Sequence, residues 1–353
     1  MTAPARHVYR FLPDLRLAVV GDAGAIRHFD HEYGACLDEG AEDAEVVVDI
    51  DGASARRAAA RGPATVGGHK SVRWKVALGD AADRPLTTAI SLSGWPRSFA
   101  LSLVQGYFVE ALVSLAAPAA DHVLLPAAAV VSREKATVLL GKSGTGKSSV
   151  SARMLASGGV VIGDDQVLID RTGRCISFPR RMRFYPDLAE TAPNAFRALA
   201  PRSRARLRAR GVLDRLTAGY VRPSMAIDPR ELGAPDPRPS APVERVLLLE
   251  PHAPGRALEC ESVEPRTALS TVHDVFDHQR ARLWSISPPA WRSLINEVGA
   301  VEEQILTAAW RQVRLERVRI PVGWSPKQAV DALTELVEAE HGPRAAKPMS
   351  TSS

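Results

Sequence analysis

Residues 136–165, ATVLLGKSGTGKSSVSARMLASGGVVIGDD, constrain the fold more than any other stretch of the chain. An apolar, β-branched run leads into a glycine-rich turn, and a segment at helical spacing then ends at Gly158-Gly159, a C-cap pair. VVIG follows and delivers Asp164 and Asp165. Strand, loop, helix and strand in that order predict an α/β fold, with the loop at the C-terminal end of its first strand, where ligands sit in doubly wound sheets. A right-handed crossover to an adjacent parallel strand would set the two aspartates beside the loop.

Gly141, Gly146, Lys147 and Ser148 satisfy the spacing G-x-x-x-x-G-K-[ST]. In that pattern backbone N–H groups wrap phosphate oxygens, the lysine reaches the outer phosphates and the hydroxyl meets magnesium. Side chains at the glycines would block the wrap, and the helix that follows points its positive dipole end at the anion. One aspartate can hold the magnesium, directly or through water. Its neighbour, facing the other way along extended chain, can accept a proton from an incoming hydroxyl. Phosphoryl transfer to an alcohol requires that division of labour. The plainer alternative is a structural turn followed by two solvated acids.

The first hundred residues alternate short strands with helices. RLAVVG, AEVVVDID, VRWKVALG and LTTAISLSG are β-branched runs bounded by Gly, Asp or Pro. Leu101, Val104, Phe108, Leu112 and Leu115 then lie at helical spacing up to Pro118. HVLLPAAAVV and KATVLLG suit a buried strand pair, VERVLLLEP and LERVRIPVG two further strands, and 290–310 a helix. A last helix starts at SPKQ, with Ser325 as N-cap and Pro326 at the first helical position. The organisation expected is an α+β accessory domain over 1–98, a catalytic domain over 99–340 and a flexible tail over 341–353.

Composition narrows the function classes. The formal charge of +5 is modest, aromatics are 5% of residues, and arginines crowd between Arg180 and Arg210. A nucleic-acid binder more usually interleaves a basic face with stacking aromatics, so no nucleic-acid partner is expected. No run reaches the eighteen or so apolar residues of a membrane span, and the first residues lack the order of a signal peptide, so no membrane partner and a cytoplasmic location are expected. Cys36, Cys175 and Cys260 lack paired spacing and read as free, mostly packed thiols.

LPAAAVVSREKATVLLGKSGTGKSSVSARMLASGGVVIGDDQVLI, residues 125–169, resembles the catalytic core of the HPr serine kinase/phosphorylase superfamily. The resemblance is good from Phe99 to Asp170, weak to about Pro251 and hardly present before. It implies a P-loop fold related to phosphoenolpyruvate carboxykinase, with ATP and Mg2+ as cofactors. Gly141, Lys142, Ser143, Gly144, Thr145, Gly146, Lys147, Ser148 and Ser149 would bind the nucleotide, Ser148 and Asp165 would serve the metal, and Asp164 would be the catalytic base alongside Lys147. The two aspartates could exchange roles. Where family members carry a histidine before the alanine-rich strand, this chain has Pro126, with His122 four residues earlier, and the signature that supports phosphorolysis and contact with the carrier protein HPr has no counterpart. The chain more closely resembles divergent relatives, some of which phosphorylate a serine of a ribosomally made peptide such as a lasso-peptide precursor. The acceptor expected is a serine of a peptide or protein. A small-molecule alcohol kinase and a non-catalytic nucleotide switch or scaffold are the alternatives, and a homo-oligomer is left open by the family's habits.

Arg180, Arg181 and Arg183 follow the core closely enough to clamp the transferred group or an acidic substrate, since guanidinium forks suit phosphates and carboxylates. Arg202 to Arg210, at every second position, would point all ways from a helix and read as a solvated helix or flap. His273, Asp274, Asp277 and His278 invite a metal site but offer no third ligand at suitable spacing, so a surface helix or the lining of a substrate site is expected. Trp284, Trp291 and Trp310 read as core.

Overall fold

The computed structural model describes residues 4–52, 64–217, 224–232 and 240–339, and the tail expected over 341–353 lies outside them. The fold is mixed α/β. Near the N-terminus β1 (Ala5–Leu12), β2 (Leu15–Gly21), β3 (Val46–Ile50), β4 (Thr65–His69), β5 (Val72–Leu78) and β6 (Leu86–Ser93) form a sheet in the order β1-β2-β3-β6-β5-β4. β2, β3 and β6 run parallel to one another and the remaining pairs are antiparallel. Leu17, Val48 and Ile90 share a core with Leu101, Val104, Phe108 and Leu112 of the helical stretch Arg97–Ala120 and with Trp291. Trp291 also donates its indole N–H to Gly79 O at 2.8 Å, which ties the C-terminal helices to this sheet. Arg97–Ala120 is the one helix among the described residues long and apolar enough to cross a membrane, and it is mostly buried inside the protein.

A second sheet of nine strands carries the glycine-rich loop. Its strands are β7 (His122–Leu125), β8 (Ala127–Ser132), β9 (Lys135–Gly141), β10 (Val160–Gly163), β11 (Val167–Asp170), β12 (Arg174–Ser177) and three described below; β13 (Met182–Phe184) and β14 (Met225–Ile227) pair with each other separately. The other three are β15 (Ser240–His252), β16 (Glu259–Ser262) and β17 (Arg314–Pro321), and the main path runs β10-β8-β9-β15-β12-β11-β7. Successive residues feed opposite faces, as the pleat requires. Val138 and Leu140 of β9 and Val246 and Leu248 of β15 pack against helices Pro265–Ile286 and Pro289–Ala309. Leu139, Leu247 and Leu249 pack against Lys147–Ala156 and Pro326–Ala339 on the other face.

The crossover differs from the expectation. β10 pairs antiparallel with β8, and β8 with β9, so β10 runs parallel to β9 but one strand removed from it. Both edges of β9 are already taken, one by the hairpin that turns at Arg133 and Glu134 and the other by β15 in parallel register. Left-handed φ values of 46° and 71° at those two residues close the hairpin tightly enough to fill the slot. The sheet is therefore mixed rather than doubly wound and parallel.

Helix ends follow the sequence closely. Gly158 at φ 76° and Gly159 close Lys147–Ala156 with bonds from Gly158 N to Leu155 O and from Gly159 N to Met154 O, which satisfy the helix's last carbonyls. At Ser325 the cap is reciprocal: Gln328 N donates to Ser325 Oγ at 3.2 Å and Ser325 N to Gln328 Oε1 at 2.9 Å. Val330 and Leu333 of the helix so capped face Gly146, whose added Cβ would lie 3.2 Å from Val330 Cγ2. Ser325→Ala is therefore expected to cost about 1 kcal/mol, read as a lower urea midpoint with unchanged slope.

Candidate functional site

β9 delivers Gly141 to the open end of a parallel strand pair. A Cβ there would sit 2.8 Å from Leu249 O, so the loop starts with the only residue that fits. Gly144 and Gly146 turn the chain with φ of 89° and 94°, a region other residues adopt at a cost. Lys142, Ser143 and Gly144 are exposed, while Thr145 is buried and donates to Lys142 O at 2.9 Å. Lys147 opens the helix. Its Nζ is folded back onto the loop, donating to Gly141 O at 2.5 Å and Lys142 O at 3.0 Å. Burial lowers the pKa of this ammonium, and the charges of Asp165 and Asp164 pull it part of the way back. Ser149 is held by Thr191, and Arg153 joins Thr191 O to Asp331 of the last helix, which anchors the loop helix on two sides.

Asp164 and Asp165 lie in the bend after β10, the first buried and the second half-exposed. Asp164 is 6% exposed, and neither carboxyl oxygen has a hydrogen-bond partner among the described residues. Burial first, and then the charge of Asp165, push its pKa from 3.8 up to about 7. The hydroxyls of Ser148 and Ser151 and the Lys147 ammonium draw it back down without reaching hydrogen-bonding geometry. A carboxyl buried without partners carries a desolvation cost that ordinary packing does not explain. The Asp165 side chain is 47% exposed and pairs with Arg180. The loop lysine, the loop hydroxyls and both acids thus share one electrostatic neighbourhood at the head of the helix.

Of the three arginines singled out from the sequence, only Arg180 belongs to this site. Its Nε lies 3.2 Å from Glu110 Oε1 and its Nη1 meets Asp165 Oδ2. Burial works to lower the guanidinium pKa, but Glu110 and Asp165 raise it on balance. Arg181 donates to His31 O at 2.7 Å and Arg183 pairs with Glu32 at 3.3 Å, so both dock helix Ala23–Tyr33 instead.

Glu110, Gln105 and Gln166 escaped the sequence reading. Gln105 and Glu110 are the long polar side chains inside an apolar helical run, and that anomaly was the available signal. Arg202 to Arg210 lie on helix Pro201–Leu216, partly or wholly exposed, with Arg208 over the Phe196 ring and Arg210 bonded to Ser224 O. No group of three metal-ligating side chains occurs among the described residues, and His273 comes no closer than 4.0 Å to Glu303. Trp291 and Trp310 are core, but Trp284 is 38% exposed beneath Arg292, which corrects the expectation for that residue. Cys36 is half-buried and Cys175 buried, whereas Cys260 is exposed.

Fold and site together define a mixed α/β protein with a glycine-turn helix head facing a buried carboxylate. No protein-family model matches the chain, and no curated protein matches it.

Proposed function

We propose that the chain is an ATP- and magnesium-dependent phosphotransferase of the HPr-kinase-like P-loop class, moving the γ-phosphate to a serine hydroxyl of a peptide or protein in the cytoplasm. The observation that carries this reading is Asp164, buried and unpartnered beside Lys147 and Ser148. The Ser148 hydroxyl and the half-exposed Asp165 beside it supply hard oxygen donors that fit magnesium, and the orphaned oxygens of Asp164 are left to act as the base. Bound there, magnesium would neutralise charge on the phosphates through Ser148 and Asp165.

The residues of the chain divide the remaining work. Gly144 and Gly146 turn the backbone amides of 143–148 toward the phosphates, and the helix dipole adds to their pull. Lys147, released from the carbonyls of Gly141 and Lys142, reaches the outer phosphates. The acceptor oxygen forms a bond to the γ-phosphorus as the bond to the β-phosphate oxygen breaks. Asp164 takes the hydroxyl proton, and ADP leaves. A base with pKa near the operating pH suits that transfer.

Incubation with γ-labelled ATP, magnesium and a panel of serine-bearing peptides tests the reading, with mass spectrometry locating the label. Phosphoserine that disappears with Lys147→Ala supports it. Label on small alcohols alone moves the acceptor to a metabolite, and tight ADP and ATP binding without turnover identifies a switch.

A further inference from the structure

Glu110 occupies an unusual position. Its carboxylate is 2% exposed, yet donors from three separate elements converge on it. Tyr33 of the first helix donates to Oε1 at 3.1 Å, Gln105 to Oε1 at 2.8 Å, and Gln166, next to the aspartate pair, to Oε2 at 3.1 Å. The pairing with Gln105 depends on a local irregularity. Residues five apart on an α-helix lie about 140° apart around the axis. Here residues 105–109 form a π turn, with Glu110 N bonded to Gln105 O, and the two side chains fall on one face. Such turns occur often at functional sites.

The fourth partner is Arg180, buried between this fixed carboxylate and the half-exposed one of Asp165. The two acids differ in freedom: Glu110 is held from three sides, while Asp165 is bound on the described residues through Arg180 and otherwise meets solvent. A metal arriving at Asp165 must compete with the guanidinium. Arg180 can give up Asp165 and keep a contacting counter-charge because Glu110 stays with it, and an unpaired buried charge is strongly destabilising.

We propose that Glu110 is a positioning residue, which keeps Arg180 in place and compensated so that Asp165 can leave the guanidinium and take up magnesium. The inference rests on the magnesium-nucleotide reading of the site. It extends the site inward to a residue that never touches substrate, and through Tyr33 it links the site to the N-terminal sheet unit.

The test is the magnesium dependence of ADP binding, followed by titration calorimetry on the full chain. Glu110→Gln leaves Asp165 as the one carboxylate in contact with Arg180 among the described residues, with Glu32 farther off, so the magnesium concentration for half-maximal ADP binding should rise about ten-fold, the scale of one charge-assisted contact. ADP affinity at saturating magnesium should stay unchanged. In the double variant Glu110→Gln/Arg180→Met both buried charges are gone, and half-saturation should return to within about two-fold of the starting protein. An unchanged magnesium requirement in Glu110→Gln overturns the inference while leaving phosphotransfer intact. So does a double variant that keeps the ten-fold defect, because the role of Glu110 would then be structural and independent of Arg180. Absence of magnesium-dependent ADP binding by the unaltered protein overturns the phosphotransfer reading and this inference together.

Discussion

Lys147→Ala is expected to lower ATP turnover by about a thousand-fold, the scale seen when one preorganised donor to a developing charge is lost in a buried site. The resting geometry makes this a test of chemistry rather than of folding. Lys147 donates to the buried Gly141 O and the partly accessible Lys142 O, both backbone carbonyls of the loop itself, so its removal leaves the sheet and helix packing in place and water can reach the Lys142 carbonyl. The thermal midpoint should therefore move by only a few degrees while turnover collapses. Single-turnover measurement with labelled ATP, alongside a melting curve, separates the two. Turnover within ten-fold of the unaltered protein would remove the loop from the mechanism.

Asp164→Asn should produce opposite changes in activity and stability. As the base, Asp164 works deprotonated, so kcat/KM of the unaltered protein should climb as pH rises through about 7. The amide cannot accept the proton, and the loss should be on the order of a thousand-fold at every pH. Stability runs the other way. The folded protein holds the Asp164 proton up to about pH 7, whereas the unfolded chain releases it near 3.8. Folding is therefore favoured by this group at acid pH, and that contribution is lost as pH rises through the window between the two values. Asn has no charge to bury. The variant should gain about 2 kcal/mol at pH 8 and much less at pH 5, read from urea unfolding at both. A variant less stable than its parent at pH 8 would mean that Asp164 is compensated by partners in solution and is not the strained acid described here. Gain of stability with loss of turnover is the usual mark of a functional site held against its own folding preference.

Much of the site was legible because its signals are local. Gly144 and Gly146 are required by backbone geometry at those very residues, through their positive φ, whereas the need for Gly141 comes from Leu249 of the distant strand β15. Ser325 announced its helix through a cap that closes within four residues. The different exposures of Asp164 and Asp165 match the division expected for them, although the two residues lie in a bend and not on extended chain. β1 and β4 were missed, the latter because Gly67 and Gly68 interrupt its pattern. Trp284 was assigned to the core because apolar spacing cannot tell the inner from the outer stripe of a long helix.

What the sequence by itself determined is the loop, the helix it opens and the pair of acids at the end of the next strand, all set by hydrogen bonds and steric limits within a few residues. Only the tertiary structure decided which strand lies beside β9, that Asp164 is buried with no hydrogen-bond partner among the described residues, and that Arg180 stands between Asp165 and Glu110. Burial and charge pairing depend on groups as far apart in sequence as Arg183 and Glu32, at 151 positions, and a local pattern carries no information about which of them will meet.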